Sequence, residues 1–291
     1  MNTSRARDRS RRAFTLIEAA AILVVCALVG AVLLIPLGRT SCGGRQLKDA
    51  AQVRWHAQGI AIWAGSNQNR FPLPSALDKD NATIATDAPR KDTTANVLSV
   101  LIYNSHITTE ACINPAEANA RVQQMPHYTF NAPSAAARPA EALWDPAFSA
   151  DFTSAQGGNT SYATMAMTRE RLDCFASLYS GTDFAIVGNR GPELLIKKRK
   201  APEVDITLKD PASTTLLMHG PRTTWEGNIA YADGHVNFET LLAPDAVEYR
   251  NGQGTAWRDA LFFDEGDDRS RLNAFLGIFV NKAEGVGPIF D

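Results

Sequence analysis

The chain has 291 residues with 29 basic and 31 acidic side chains, a formal net charge of −2. That near-balance, without a basic patch carrying interleaved aromatics, excludes a nucleic-acid-binding protein. No phosphate loop, dinucleotide fingerprint, Gly-x-Ser-x-Gly elbow or His-Glu-x-x-His occurs. No nucleophile–base pair can be named either, so no catalytic residue is assigned and the chain does not read as an enzyme.

The N-terminus is basic, with Arg5, Arg7, Arg9, Arg11 and Arg12 against Asp8 alone. Positions Ala19 to Leu37 follow without a charged or strongly polar side chain. A hydrocarbon core takes about 20 residues of helix, so this run predicts a transmembrane helix. The arginine-rich flank predicts a cytoplasmic N-terminus. A secretory signal differs, having a shorter apolar core that ends in an Ala-x-Ala-like site. Glu18 is the odd residue, because a carboxylate at the lip of an apolar span needs a reason; a place among the headgroups is the plain one. Pro36 predicts a kink in the span or its end.

The order Arg12-Ala13-Phe14-Thr15-Leu16-Ile17-Glu18 before an apolar helix resembles the processing site of type IV prepilins and type II secretion pseudopilins. The resemblance implies cleavage by a prepilin peptidase between Ala13 and Phe14, followed by N-methylation of Phe14. Glu18 then becomes the fifth residue of the mature chain. In a filament it would pair with the terminal amine of a neighbouring Phe14. A charge pair at low dielectric must be matched, so such a pair enforces register between subunits. Ala13 stands where the family usually carries Gly. The implied partners are the peptidase, other pilin-like subunits in a homo- or hetero-oligomer, and the inner membrane, with no nucleic acid. The implied address is the inner membrane, single-pass, with the C-terminal domain periplasmic or otherwise extracytoplasmic.

The segment from Arg45 to Ala64 repeats Ala50, Val53, Ala57, Ile60 and Ala64 at three- and four-residue steps, which predicts a helix. It would continue the membrane helix as a stalk, broken or bent between Pro36 and Gly44. Gly65-Ser66-Asn67 marks its end, and Phe71-Pro72-Leu73-Pro74 predicts an extended exit. Gln46 through Ile60, with the Asn69-Arg70-Phe71-Pro72 exit, resembles pilin-like proteins that carry a C-terminal processing-associated His-to-Asp-Gly motif. The organisation expected is a leader over 1–13, a transmembrane helix over 14–37, a stalk helix over 38–66 and an extracytoplasmic domain over 67–291.

Beyond the stalk, residues Leu77 to Thr93 read as a polar surface loop. Thr93 to Ile102 reads as a helix with Thr93 or Thr94 as N-cap. Glu110 to Pro115 resembles the family's strand before a turn, and Ala132 to Ala142 reads as an exposed excursion. Thr160 to Met167 alternates as a strand, and Lys197 to Lys200 reads as a solvated loop. Asp233-Gly234, between Ile-Ala-Tyr-Ala and His-Val-Asn-Phe, predicts a two-residue hairpin turn within 229–238. That turn sets Tyr231 opposite Val236 and Ile229 opposite Phe238. Leu272 to Val280 has helical spacing. His219 lies further from Asp233 than the motif's spacing allows, so it receives no catalytic role.

Four cysteines occur. Cys26 falls within the apolar span, and three exported cysteines cannot all pair internally in an oxidising compartment. Cys112 with Cys174 is the preferred pair, leaving Cys42. Asp264, Asp267 and Asp268 are the weak metal candidates, with calcium the ion their chemistry suits. The plain reading is a solvated acidic loop, so no metal or other cofactor is expected. The fold class expected is α+β, a long N-terminal transmembrane and stalk helix packed on an antiparallel sheet domain. The function expected is a structural pilin-like subunit of a type II secretion or pilus-like system. The alternative is a membrane-anchored extracytoplasmic binding protein that uses the prepilin-type signal for export without polymerising.

Overall fold

The computed structural model describes residues 16–34, 37–177, 184–250, 253–265 and 273–291, with side chains described for 17–26 and from 43 onward in those ranges. The chain divides into two units, Met1–Arg45 and Gln46–Asp291.

In the first unit, helix α1 (Leu16–Leu34) is 19 residues, mostly Leu, Val, Ala and Ile, with one charged side chain, Glu18, in its first turn. Its described side chains, Ile17 to Cys26, are all exposed. Ten residues of helix rise only about 15 Å, half of a hydrocarbon core. Among the described residues no helix is long and apolar enough to cross a membrane. Helix α2 (Leu37–Ser66) is helical through Gly43 and Gly44; Pro36, where the expected break or bend begins, lies outside the described residues.

The second unit is mixed α+β with antiparallel sheets. The part of α2 within it buries Asp49, Gln52, Val53, His56, Ala57, Ile60, Trp63 and Ala64 on one face, the three- and four-residue spacing that builds an amphipathic helix. The helix stops where foreseen: the Asn67 side chain donates to Trp63 O at 2.8 Å, and Gln68 and Asn69 turn to positive φ. Helices α3 (Pro74–Leu77) and α4 (Ala88–Lys91) then flank a loop, followed by α5 (Thr94–Tyr103). Thr93 caps α5 by accepting from Asn96 N at 3.3 Å, and residues Thr94 to Ile102 are buried.

Among the described residues ten strands follow: β1 (Tyr162–Met165), then helix α6 (Arg169–Ser177), β2 (Ala185–Asn189), β3 (Leu194–Lys198), β4 (Val204–Leu208), β5 (Gly227–Tyr231), β6 (Val236–Glu239), β7 (Glu248–Arg250), β8 (Ala256–Arg258), β9 (Leu276–Lys282) and β10 (Gly285–Ile289). The main sheet has the order β10-β9-β1-β2-β5-β6, every neighbouring pair antiparallel. β3–β4 and β7–β8 are separate hairpins. The central strands β1, β2 and β5 are buried at every position, so they show no alternation. One face of β1 meets the helices: Tyr162 lies under α2, and Thr164 Oγ1 is 2.9 Å from Thr94 Oγ1 of α5.

Several sequence expectations are corrected. The Leu77–Thr93 stretch contains α4 and the buried pair Asp78–Lys91. Glu110 to Cys112 is a 3-10 turn rather than a strand. Lys197 and Lys198 lie in strand β3, not in a loop. The segment with helical spacing is strand β9, where Leu276 to Val280 are buried on both faces; an apolar run short of a polar stripe fits either period.

The Asp233-Gly234 hairpin forms, with its register shifted by one. Ala230 pairs with Val236, Ile229 with Asn237 and Asn228 with Phe238. Tyr231 N donates to His235 O and Gly234 N to Tyr231 O, giving a three-residue loop whose last residue, Gly234, has φ +87. That is the bulged loop in which only one position needs the left-handed region.

Candidate functional site

The sequence-derived processing residues divide between described and undescribed positions. Ala13 and Phe14 lie outside the described residues, as do Asp267 and Asp268. Glu18 sits exposed in the first turn of α1. No disulfide joins Cys112 to Cys174. Cys112 is buried, its thiol 3.5 Å from Thr108 O, at the end of β1 where Ser161 N bonds Cys112 O. Cys174 is on α6, beyond the opposite end of that strand.

What the structure brings together instead is a buried polar hub around Asp49. Three neighbouring strands present a cross-strand row toward α2. Tyr162 of β1 is opposite Asn189 of β2, which lies one step past the Gly188–Ile229 pair and so faces Asn228 of β5. Gly188 is needed for that approach, since a Cβ there would fall 2.5 Å from Ile229 Cδ1 and 2.7 Å from Asn228 O. The row converges on the carboxylate of Asp49. Tyr162 Oη donates to Oδ1 at 2.8 Å and Asn189 Nδ2 to the same oxygen at 2.9 Å. Asn228 Nδ2 donates to Oδ2 at 2.5 Å, and His219 Nε2 lies 3.0 Å from Oδ2. Asn114 places its amide 3.2 Å from the same ring nitrogen, and Gln52 Oε1 lies 3.1 Å from Tyr162 Oη.

Asp49, Asn189 and Tyr162 are fully buried. Burial, then the Asp49 charge, holds the Tyr162 phenol well above its ordinary range, so it stays a donor. His56 packs against Tyr162 with ring centroids 4.7 Å apart and the rings tilted by 44°, and is fully buried. Its burial outweighs the Gln52 carbonyl bond and takes its pKa down to about 4. The imidazole is therefore neutral, donating from Nδ1 to Gln52 O at 2.8 Å. A carboxylate enclosed by three donors and the His219 ring, and closed to solvent, has no open coordination position and no access for a substrate. Its chemistry is to fasten α2 to the sheet.

Sequence reasoning assigned His219 no catalytic role and passed over Asp49. The available signal was modest: Asp49 is the only acid in α2 and shares the i, i+4, i+7 row of Val53 and His56, an acid on an apolar stripe.

At the hairpin tip, His235 Nδ1 lies 2.5 Å from Asp233 Oδ1, and the His235 ring stacks on Tyr231 at 4.5 Å. Burial favours the neutral acid, but the bonds from His235 hold Asp233 below its ordinary value. This pair shapes a turn.

Asp264, a metal candidate, is committed elsewhere: buried Arg171 donates to its Oδ1 at 2.9 Å and to Asn273 Oδ1 at 2.8 Å. Among the described residues no group of three or more His, Cys, Asp or Glu side chains could hold a metal ion. Arg171, Asp264, Asp92, Met167, Phe275 and Phe279 line part of a cavity of about 380 Å³.

Behind Asp264, two carboxyls share a buried site. Asp259 accepts from Ala274 N at 2.5 Å and Glu265 from Asn273 Nδ2 at 2.7 Å. Burial, then the charge of Glu265, raises Asp259 well above the usual carboxylate range. Burial raises Glu265 from 4.5 to about 8. Folding therefore takes up protons that the unfolded chain releases. The stability this contributes is complete below pH 4.5 and is lost as pH rises through 8. Glu265→Gln should flatten the pH dependence of the urea midpoint between those two values. A slope as steep as that of the unsubstituted chain would refute the assignment.

Compared with known proteins, the chain matches no family model, no curated protein and no solved structure.

Proposed function

We propose that this chain is a structural, pilin-like subunit, processed by a prepilin peptidase, anchored in the inner membrane by its N-terminal helix, and assembled through that helix in a type II secretion or pilus-like system. The observation that carries this reading is the order of the N-terminal segment. Five arginines precede Phe14-Thr15-Leu16-Ile17-Glu18 and an apolar run. The folded unit is compatible with it: a helix fastened to an antiparallel sheet by a closed polar hub is a mechanical arrangement, with its polar groups spent on one another. In this reading α1 is the membrane and filament element, and the stalk is α2 packed on the sheet.

The test is mass spectrometry of the mature N-terminus. The expected species begins at Phe14 with a methylated amine; an intact Met1 or a start beyond Pro36 would sink the proposal. Glu18→Ala should be processed and yet assemble poorly. The second reading, an anchored binding protein that does not polymerise, is favoured by the cavity beside Arg171 and Phe275. Normal assembly of processed Glu18→Ala would favour that reading over a filament.

A further inference from the structure

Helix α2 has a second face, opposite the one that packs on the sheet. Leu47 (74 % exposed), Trp55 (53 %) and Ile62 (56 %) lie on it, with Ala51 between. A tryptophan left this exposed on a regular helix suits an environment that is apolar at one end and wet at the other. The charges on this face have one sign. Lys48 and Arg54 are exposed, while the only acid in α2, Asp49, is buried in the hub. Glu110 reaches Lys48 from a neighbouring turn at 3.5 Å, with both side chains largely exposed. A helix with apolar and aromatic residues beside lysine and arginine, and no exposed carboxylate of its own, has the composition of one that lies in an anionic interface. A second copy related by a two-fold axis is a poorer occupant. Two such faces packed about a two-fold axis would set Lys48 and Arg54 against their own counterparts, and like charges held together oppose association.

We propose that the outer face of α2 is an interfacial face that rests on anionic phospholipid, with Trp55 at headgroup depth and Lys48 and Arg54 on lipid phosphates. The inference rests on the anchored reading above, because the anchor is what holds α2 near a bilayer. Each basic side chain near such a surface changes local partition by about fivefold, and salt screens the attraction.

The experiment uses the full chain in vesicles of phosphatidylcholine, with or without phosphatidylglycerol. Flotation first establishes that the chain is anchored. Tryptophan fluorescence is then quenched with lipids brominated at shallow acyl positions, and Trp55→Phe isolates the share of Trp55. The expected result is a Trp55 share that is large with phosphatidylglycerol. It should shrink in pure phosphatidylcholine, at high salt and in Lys48→Glu/Arg54→Glu. If the chain floats but Trp55 is not quenched, or is quenched equally in both vesicles, this inference is overturned and the anchored reading stands. Self-cross-linking of Trp55→Cys with no lipid quenching would also overturn it, in favour of a second copy. If the chain does not float, the anchored reading itself fails.

Discussion

Asp49→Ala should lower the stability of the folded unit by about 3–5 kcal/mol, because it removes the acceptor shared by several buried donors. The substitution leaves Tyr162 Oη, Asn189 Nδ2, Asn228 Nδ2 and the His219 ring without their common acceptor in a dry site. Each buried donor so stranded loses about 1–3 kcal/mol. For a unit of this size the melting temperature should fall by roughly 10 °C or more. Asp49→Asn should be milder, because an amide oxygen still accepts two of the bonds. Thermal melts followed by circular dichroism distinguish the outcomes. A change below about 1 kcal/mol in Asp49→Ala would show that the hub does not hold α2.

Lys91→Met should be nearly as damaging, by about 3 kcal/mol or more. Lys91 and Asp78 are 1 % exposed, and Nζ lies 2.9 Å from Asp78 Oδ2 and 2.6 Å from Asn81 Oδ1. Nζ also donates to the Asp78 carbonyl. The carboxylate accepts from Ala82 N, Thr83 N and Ile84 N as well. Burial alone would raise Asp78, but these bonds and the Lys91 ammonium hold it below its ordinary 3.8. A depressed carboxylate contributes stability that is present above 3.8 and is lost as pH falls through its folded value. The penalty of Lys91→Met should therefore be large at neutral pH and shrink in acid. The double variant Asp78→Asn/Lys91→Met should recover much of the loss, since it leaves no buried charge unpaired. Urea titrations at neutral and acid pH measure both.

Elements whose information is local were legible. The buried positions of α2 and the Thr93 cap of α5 are set within a few residues, and both form as the pattern requires. The hairpin was legible in kind but not in register. Asp-Gly favours a two-residue turn, yet the three-residue loop sets Phe238 opposite Asn228, at the end of the row that meets α2. There its ring meets His219 edge-on at 5.9 Å. A contact between strands and a distant loop decided the pairing, and no local propensity carries that. β9 was misread because it is buried on both faces, which removes the alternation that marks a strand. The hub was illegible for a related reason: asparagine and tyrosine in a strand look alike whether they face water or a helix more than a hundred residues away. The Cys112–Cys174 expectation rested on compartment chemistry and had no geometric support.

The hub also sets an order of events in folding. Its bonds to Asp49 close loops of 113, 140, 170 and 179 residues. Contacts so far apart in sequence slow folding, because the chain entropy of closure must be overcome before they stabilise anything. Asp49 gains its full set of donors only when β1, β2 and β5 are side by side and the His219 segment has closed over them. Helix α2 thus acts as a latch that engages on a finished sheet. If the chain assembles as proposed, this latch would keep subunits with incomplete folded units from presenting a fixed stalk.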